Sequence, residues 1–303
     1  MNRIKIEHKP CSHHNHQVHI ELPGDYHDLA HNADDIVREL VAPYARTRRL
    51  YDIMLEDPRV NAHWDLANYT AVMKMGYNDH GPVHAQVATA GAMQIAAALI
   101  NADVPLDVVA SGVGDLDDAL LVVLTGSMLH DIGNQLHRHN HVTYGVILAQ
   151  PILERLLPPL YPDPEQLQLI QSFILSTIAT HDCDPPPLMM EGGIVAVADG
   201  TDLAKGRGRM AFDLGKIDIH SVSALSIEEV YIRQGEITPV EIEVVMSNSA
   251  GIFQVQETLV RKLLQTPLKD YVTVRACTAP ADEIIDERII HCVALQDGFL
   301  QVE

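Results

Sequence analysis

The sequence predicts a mainly α fold: a helical bundle domain followed by a small α+β C-terminal domain. Apolar residues recur at helical spacing from about residue 31 to residue 204. Aromatic residues make up only 5% of the chain while aliphatic ones dominate, as expected of an Ala- and Leu-rich helical core. After about residue 222 the pattern changes to short β-rich runs around one amphipathic segment. With 303 residues the chain has room for one large domain and a small one. The expected division is an N-terminal extension over 1–30, a helical domain over 31–222 and an α+β domain over 223–303.

The extension contains Cys11-Ser-His-His-Asn-His-Gln-Val-His19, rich in imidazole but without regular ligand spacing. It reads as a polar terminal segment, with Val18 to Leu22 alternating as a short strand would. Helices are expected over 31–56, 59–75, 82–100, 117–130, 141–156, 164–180 and 190–204, separated by Pro-, Gly- and Asp-containing turns. Lys205, Arg207 and Arg209 follow in a Gly-rich loop, with Lys216 a little further on. Strands are expected at Val230–Ile232, Glu241–Val245, Tyr271–Val274 and from Ile289 to Val293, with an amphipathic helix from Gly251 to Leu264.

The chemistry lies in what ends these helices. The apolar run Ala119–Leu129 stops at His130-Asp131, just before Ile132-Gly133. Upstream, Asn78-Asp79-His80-Gly81-Pro82-Val83-His84 opens a helix, with Pro82 suited to its first turn. His141 begins one helix, His181 ends another, and Asp199 follows the apolar run Ile194–Ala198. An ionisable group at the end of a buried helix is costly unless compensated, and a divalent cation compensates imidazoles and carboxylates together. A helical bundle is where such side chains converge on metal.

This ordered set resembles the HD-domain metal-dependent phosphohydrolases over roughly residues 76–210. The matching positions are His84 (or His80), the His130-Asp131 pair and the distant Asp199, while His141 and His181 resemble the extra ligands of dinuclear members. The stretch from His181 to Asp199 is similar to that of HD-type diadenosine tetraphosphate hydrolases. The Gly-Tyr-Pro signature of the cyclic-dinucleotide phosphodiesterase subgroup is absent; Asp182-Cys183-Asp184-Pro185-Pro186-Pro187 stands in its place. The first ligand is ambiguous, because His80 and His84 share one helical face; His84 agrees better with the helical pattern that follows it.

The resemblance implies a metal-dependent phosphohydrolase acting on a phosphate ester or nucleotide-like small molecule. Divalent transition metal, two ions of Fe, Mn, Zn, Co or Ni, would be held by His84 (or His80), His130, Asp131, His141, His181 and Asp199. His130 and Asp131 are its catalytic pair, Asp131 bridging the two ions. Lys205, Arg207 and Arg209 are candidates for binding substrate phosphates, since Arg meets them with a planar fork. Two alternatives share these residues: an HD-type di-iron oxygenase, and a nucleotide-sensing protein with a weakly active metal site. The C-terminal domain is read as a cover for the helical domain, with ligand binding and homo-oligomer formation as its other roles.

Composition narrows the partners. A formal net charge of −20 opposes binding to nucleic-acid backbone. No apolar run is expected to reach the roughly 20 residues that span a bilayer, and the N-terminus lacks the apolar core of a signal peptide. Cys11, Cys183, Cys277 and Cys292 show no paired metal spacing, and a reducing cytoplasm is the simplest compartment.

Overall fold

The central element is a helix buried on every side. In the computed structural model, which describes Val18 and residues 24–203, 219–278 and 292–302, helix α6 (Leu116–Leu129) is buried from Asp118 to Leu129. A helix apolar all round belongs in the middle of a bundle, and α6 packs against α2 (Ala45–Glu56), α4 (Pro82–Asn101), α8 (Pro164–Thr180) and α9 (Met190–Thr201). Its start is set by a capping box, Asp115 and Asp118 each accepting from the other's backbone N–H. Helices α3 (Pro58–Asn68) and α8 start in the same local way, with Pro in the first turn and an Asp side chain, Asp57 or Asp163, accepting first-turn amides.

The remaining helical elements are α1 (Gly24–Val41), a π-helical turn Tyr69–Lys74 after α3, the short α5 (Asp107–Ala110), a 3-10 turn Ile132–Gln135, and α7 (His141–Leu156). The single helix expected over 31–56 is two helices. Pro43 sits between them, lacking an N–H and constraining the residue before it. α1 also begins at Gly24, earlier than expected, and packs along α4. The expected helix over 190–204 ends at Thr201.

Helix α4 overturns one expectation: at 20 residues it is long and apolar enough to cross a membrane. It is instead a core helix, with 72% of its apolar window buried inside the fold.

The C-terminal part starts with α10 (Ile219–Ala224) and carries a mixed five-stranded sheet in the order β1-β2-β3-β4-β5. β1 (Ile227–Gln234) is antiparallel to β2 (Val240–Met246), and β2 is parallel to β3 (Val272–Thr278). β4 (Cys292–Gln296) and β5 (Phe299–Val302) complete it antiparallel. Parallel neighbours need a crossover, here the helical run α11 (Gly251–Gln254), a π-helical segment Val255–Val260, and α12 (Arg261–Leu264). Alternate residues Val240, Ile242, Val244 and Met246 of β2 are buried, as are Val255, Leu259 and Leu263 of the crossover. Cys277 and Cys292 lie opposite each other in β3 and β4 and form a disulfide, a pairing their spacing did not suggest. The last strand expected, Ile289 to Val293, begins outside the described residues, and β4 runs on to Gln296. The N-terminal strand, apart from Val18, and the His-rich segment before it also lie outside them, as do Lys205, Arg207, Arg209 and Lys216.

The crossover helix packs on α9. Gly200 makes this approach possible, since a Cβ there would lie 3.3 Å from Leu259 Cα and 3.4 Å from Thr258 O. That contact brings one residue of the C-terminal part, Lys262, to the end of α9.

Candidate metal centre

Two imidazoles occupy equivalent places at helix C-termini. His130 is the C-cap of α6 and His181 the C-cap of α8. The last carbonyls of a helix have no intrahelical donor, and each imidazole fills such a vacancy three residues back. His130 Nδ1 donates to Ser127 O at 2.6 Å, and His181 Nδ1 donates to Ile178 O at 2.8 Å. His141 does likewise at the start of α7, Nδ1 donating to Arg138 O at 3.0 Å. His84, in the first turn of α4, donates from Nδ1 to the buried Asp202 carboxylate at 2.6 Å. A carbonyl can only accept, so these bonds fix the proton on Nδ1 and turn the Nε2 lone pair inward.

The inward atoms form two pairs. His84 Nε2 and His130 Nε2 are 3.0 Å apart, and His141 Nε2 and His181 Nε2 are 3.1 Å apart. Asp131 lies between them. Its Oδ2 is 3.3 Å from His84 Nε2 and 3.4 Å from His130 Nε2, while its Oδ1 is 3.6 Å from both His141 Nε2 and His181 Nε2. Asp199, in the last turn of α9, places Oδ1 3.2 Å from His84 Nε2 and 3.7 Å from His130 Nε2. His80 approaches from the loop before α4, with Nδ1 2.6 Å from Asp131 Oδ2.

These groups could hold a metal ion: His80, His84 and Asp131, then His84, His130 and Asp199, then His130, Asp131 and His181, each set with its ligand atoms within 4.8 Å of one another. The donor chemistry fits. Imidazole lone pairs facing each other at about 3 Å repel unless a cation or proton lies between, and two nitrogens each about 2.1 Å from one ion are separated by that order of distance. The cluster is almost dry, with His84, His130 and His181 at most 1% exposed.

The electrostatics follow from this crowding. Burial would raise the pKa of Asp131, but the neighbouring His130 and His80, with His181 close by, hold it well below the usual carboxylate value. Burial would likewise raise Asp199, and the Lys262 ammonium with His130 and His84 outweighs it. For His130, burial acts downward, yet Asp131 and Asp199 raise its pKa. His141 goes the other way: burial, then the neighbouring His181, lower it to about 3, so it stands neutral.

The outer supports were mostly invisible in the sequence. Asn134 donates from Nδ2 to Asp131 Oδ1 at 2.7 Å. Asp202, one turn beyond Asp199, grips the far nitrogen of His84; the Asp-x-x-Asp spacing was the available signal. Lys262 donates to Asp199 Oδ2 and to His181 O. Arg138 donates from Nη1 to His141 Nε2 at 3.1 Å. Gly133 has a steric role: a Cβ there would overlap the backbone carbonyl of His141, so only glycine lets the start of α7 close on the helix carrying His130.

All the predicted ligand positions thus meet in one place, His80 included. The centre opens into a cavity of about 440 Å³ between the helical bundle and the crossover helix, lined by His80, Asp131 and Asp199 on one side and by Arg138, Arg261 and Lys262 among its cations. Leu203, the last described residue before the predicted basic loop, lines the same cavity.

No family model matches the chain, and no solved structure does. A curated protein of Methanocaldococcus jannaschii, named Uncharacterized protein MJ1020, is 38% identical over 240 residues. The match covers 79% of this chain and 92% of that relative. Likeness at that level over nearly the whole of the relative places both in one family: the chain belongs to the family of the Methanocaldococcus jannaschii protein MJ1020.

Proposed function

We propose that the protein is an HD-type metal-dependent phosphohydrolase that cleaves a phosphate ester or nucleotide-like small molecule. The observation that supports this best is the division of Asp131 between two histidine pairs, one on each carboxylate oxygen, at the floor of a polar cavity. In this reading His84, His130, Asp199 and Asp131 would hold one metal ion, and His141 and His181, with Asp131, would hold a second. His80 and Asn134 orient Asp131. Bound divalent cations would supply acidification of a water and neutralisation of phosphate oxygens.

The chain's own residues set the conditions for that chemistry. Nδ1–H bonds to Ser127 O, Ile178 O, Arg138 O and Asp202 hold four imidazoles in the ligating orientation before any ion arrives. The C-termini of α6 and α8 add their negative dipole ends to the same point. Lys262 holds Asp199 from the side away from the imidazoles. The cluster's walls are buried, and the cavity opens beside Asp131 and Asp199.

The test is metal analysis of protein purified without a tag, coupled to a screen of phosphate esters and nucleotides. Bound transition metal with hydrolysis that disappears in Asp131→Ala supports the proposal. Metal-loaded protein that hydrolyses nothing in the screen but consumes dioxygen would replace it with the oxygenase chemistry.

A further inference from the structure

Asp182 directly follows His181 and lines the cavity with a partly exposed carboxylate. Its Oδ1 lies 3.8 Å from Arg138 Nη2 and 3.8 Å from Lys262 Nζ. Charge-assisted hydrogen bonds close to about 2.7–2.9 Å, so this oxygen is drawn towards both cations and held tightly by neither. The two cations come from distant parts of the chain, Arg138 from the loop before α7 and Lys262 from α12. Each has a second anchor at the metal centre, Arg138 on His141 and Lys262 on Asp199 and His181.

We propose that Arg138 and Lys262 form an anion subsite beside the metal centre, which the Asp182 carboxylate occupies in the free protein and which a phosphoryl oxygen of the substrate takes over. The inference deepens the hydrolase reading and rests on it for the identity of the anion. Replacing one anionic oxygen by another leaves neither cation unpaired, so the exchange avoids the penalty of a desolvated, uncompensated charge. A phosphoryl group has the advantage over the single Asp182 oxygen, because separate oxygens can meet the guanidinium fork and the ammonium at hydrogen-bond distance. Asp182 then acts as an internal competitor that keeps weaker anions out.

The experiment uses inorganic phosphate as the probe, titrated calorimetrically into full-length, metal-loaded protein. Asp182→Asn should tighten phosphate binding about two- to fivefold, the range expected for removing one partly exposed charge pair. Asp184→Asn makes the same change of charge on the same cavity wall, and should leave affinity within about 1.5-fold of wild type because solvent screens a carboxylate that touches neither cation. Arg138→Gln in the Asp182→Asn background should abolish the gain. Metal content measured on each variant shows that the centre is intact. Equal effects of the two Asp variants, weaker binding by Asp182→Asn, or a gain that survives Arg138→Gln would each overturn the subsite. The titration requires no turnover: the predicted order in an inactive protein would refute hydrolysis alone, and its absence in an active one would refute the subsite alone.

Discussion

The Nε2 atoms of His84 and His130 face each other at 3.0 Å while both Nδ1 atoms are engaged elsewhere. Two neutral rings so arranged present lone pair to lone pair. Asp131 and Asp199 raise the pKa of His130 against the effect of burial, as carboxylates facing a site short of cationic charge do. The surrounding helices hold this arrangement because their ends and the Asp202 carboxylate bind the outer nitrogens.

If that charge deficit is a metal site, Asp131→Ala should remove metal and leave a helical protein. Loss of an outer partner alone costs about 10–100-fold in metal affinity, and loss of the carboxylate shared by both histidine pairs should exceed that. Metal analysis with far-ultraviolet circular dichroism checks both halves. Unchanged stoichiometry would refute the ligand role.

His84→Ala should lose more metal than His80→Ala. His84 offers Nε2 to His130 and to both Asp131 and Asp199, whereas His80 Nδ1 meets Asp131 Oδ2. A supporting role for His80 predicts a loss of about 10–100-fold. The reverse order of the two variants would make His80 the ligand.

His141→Ala and His181→Ala should each remove one metal equivalent and most turnover while the His84–His130 half still binds. A titration of apo-protein should therefore fall from two equivalents to one. A single equivalent in the wild type would reduce the centre to a mononuclear site.

The contact between α9 and the crossover helix can be tested through Gly200. Gly200→Val would press on Leu259 Cα and Thr258 O, and overpacking of this kind costs about 1–3 kcal/mol. It should also draw Lys262 from Asp199. Thermal denaturation should show the destabilisation, and metal titration a weakened first equivalent. A wild-type melting temperature would mean that the helices tolerate the added methyl groups.

Glu191 provides a pH test away from the centre. It is fully buried, accepts from Val108 N at 2.9 Å, and burial raises its pKa above the ordinary 4.5. A group whose pKa is raised by folding stabilises the fold while protonated. That contribution is complete below 4.5 and is lost as pH rises through the folded value. The stability of wild type relative to Glu191→Gln should therefore decline as pH increases above about 4.5. Urea midpoints across that range should show it, and a difference independent of pH would refute it.

Helix α6 shows how much was legible in the sequence. Its apolar run, its Asp115 cap and its end at His130-Asp131 are short-range features, written within one segment by hydrophobic pattern and backbone hydrogen-bonding rules. The same holds for α4 with Pro82 and His84, for α8 ending at His181, and for α9 reaching Asp199. Pro43 was an equally local signal, and the expected helix over 31–56 passed over it.

Asp131, Arg138 and Lys262 mark where that legibility ends. The sequence by itself determined which imidazoles and carboxylates stand at which helix ends, because a helix end depends on the few residues around it. Only the tertiary structure decided that Asp131 turns one oxygen to each histidine pair, that Asp202 binds the back of His84, and that Lys262 crosses from the C-terminal part to Asp199. Those relationships depend on how closely whole helices pack, through contacts such as Gly133 on His141 and Gly200 on Leu259. Such contacts join residues far apart in the chain, and no local periodicity encodes them.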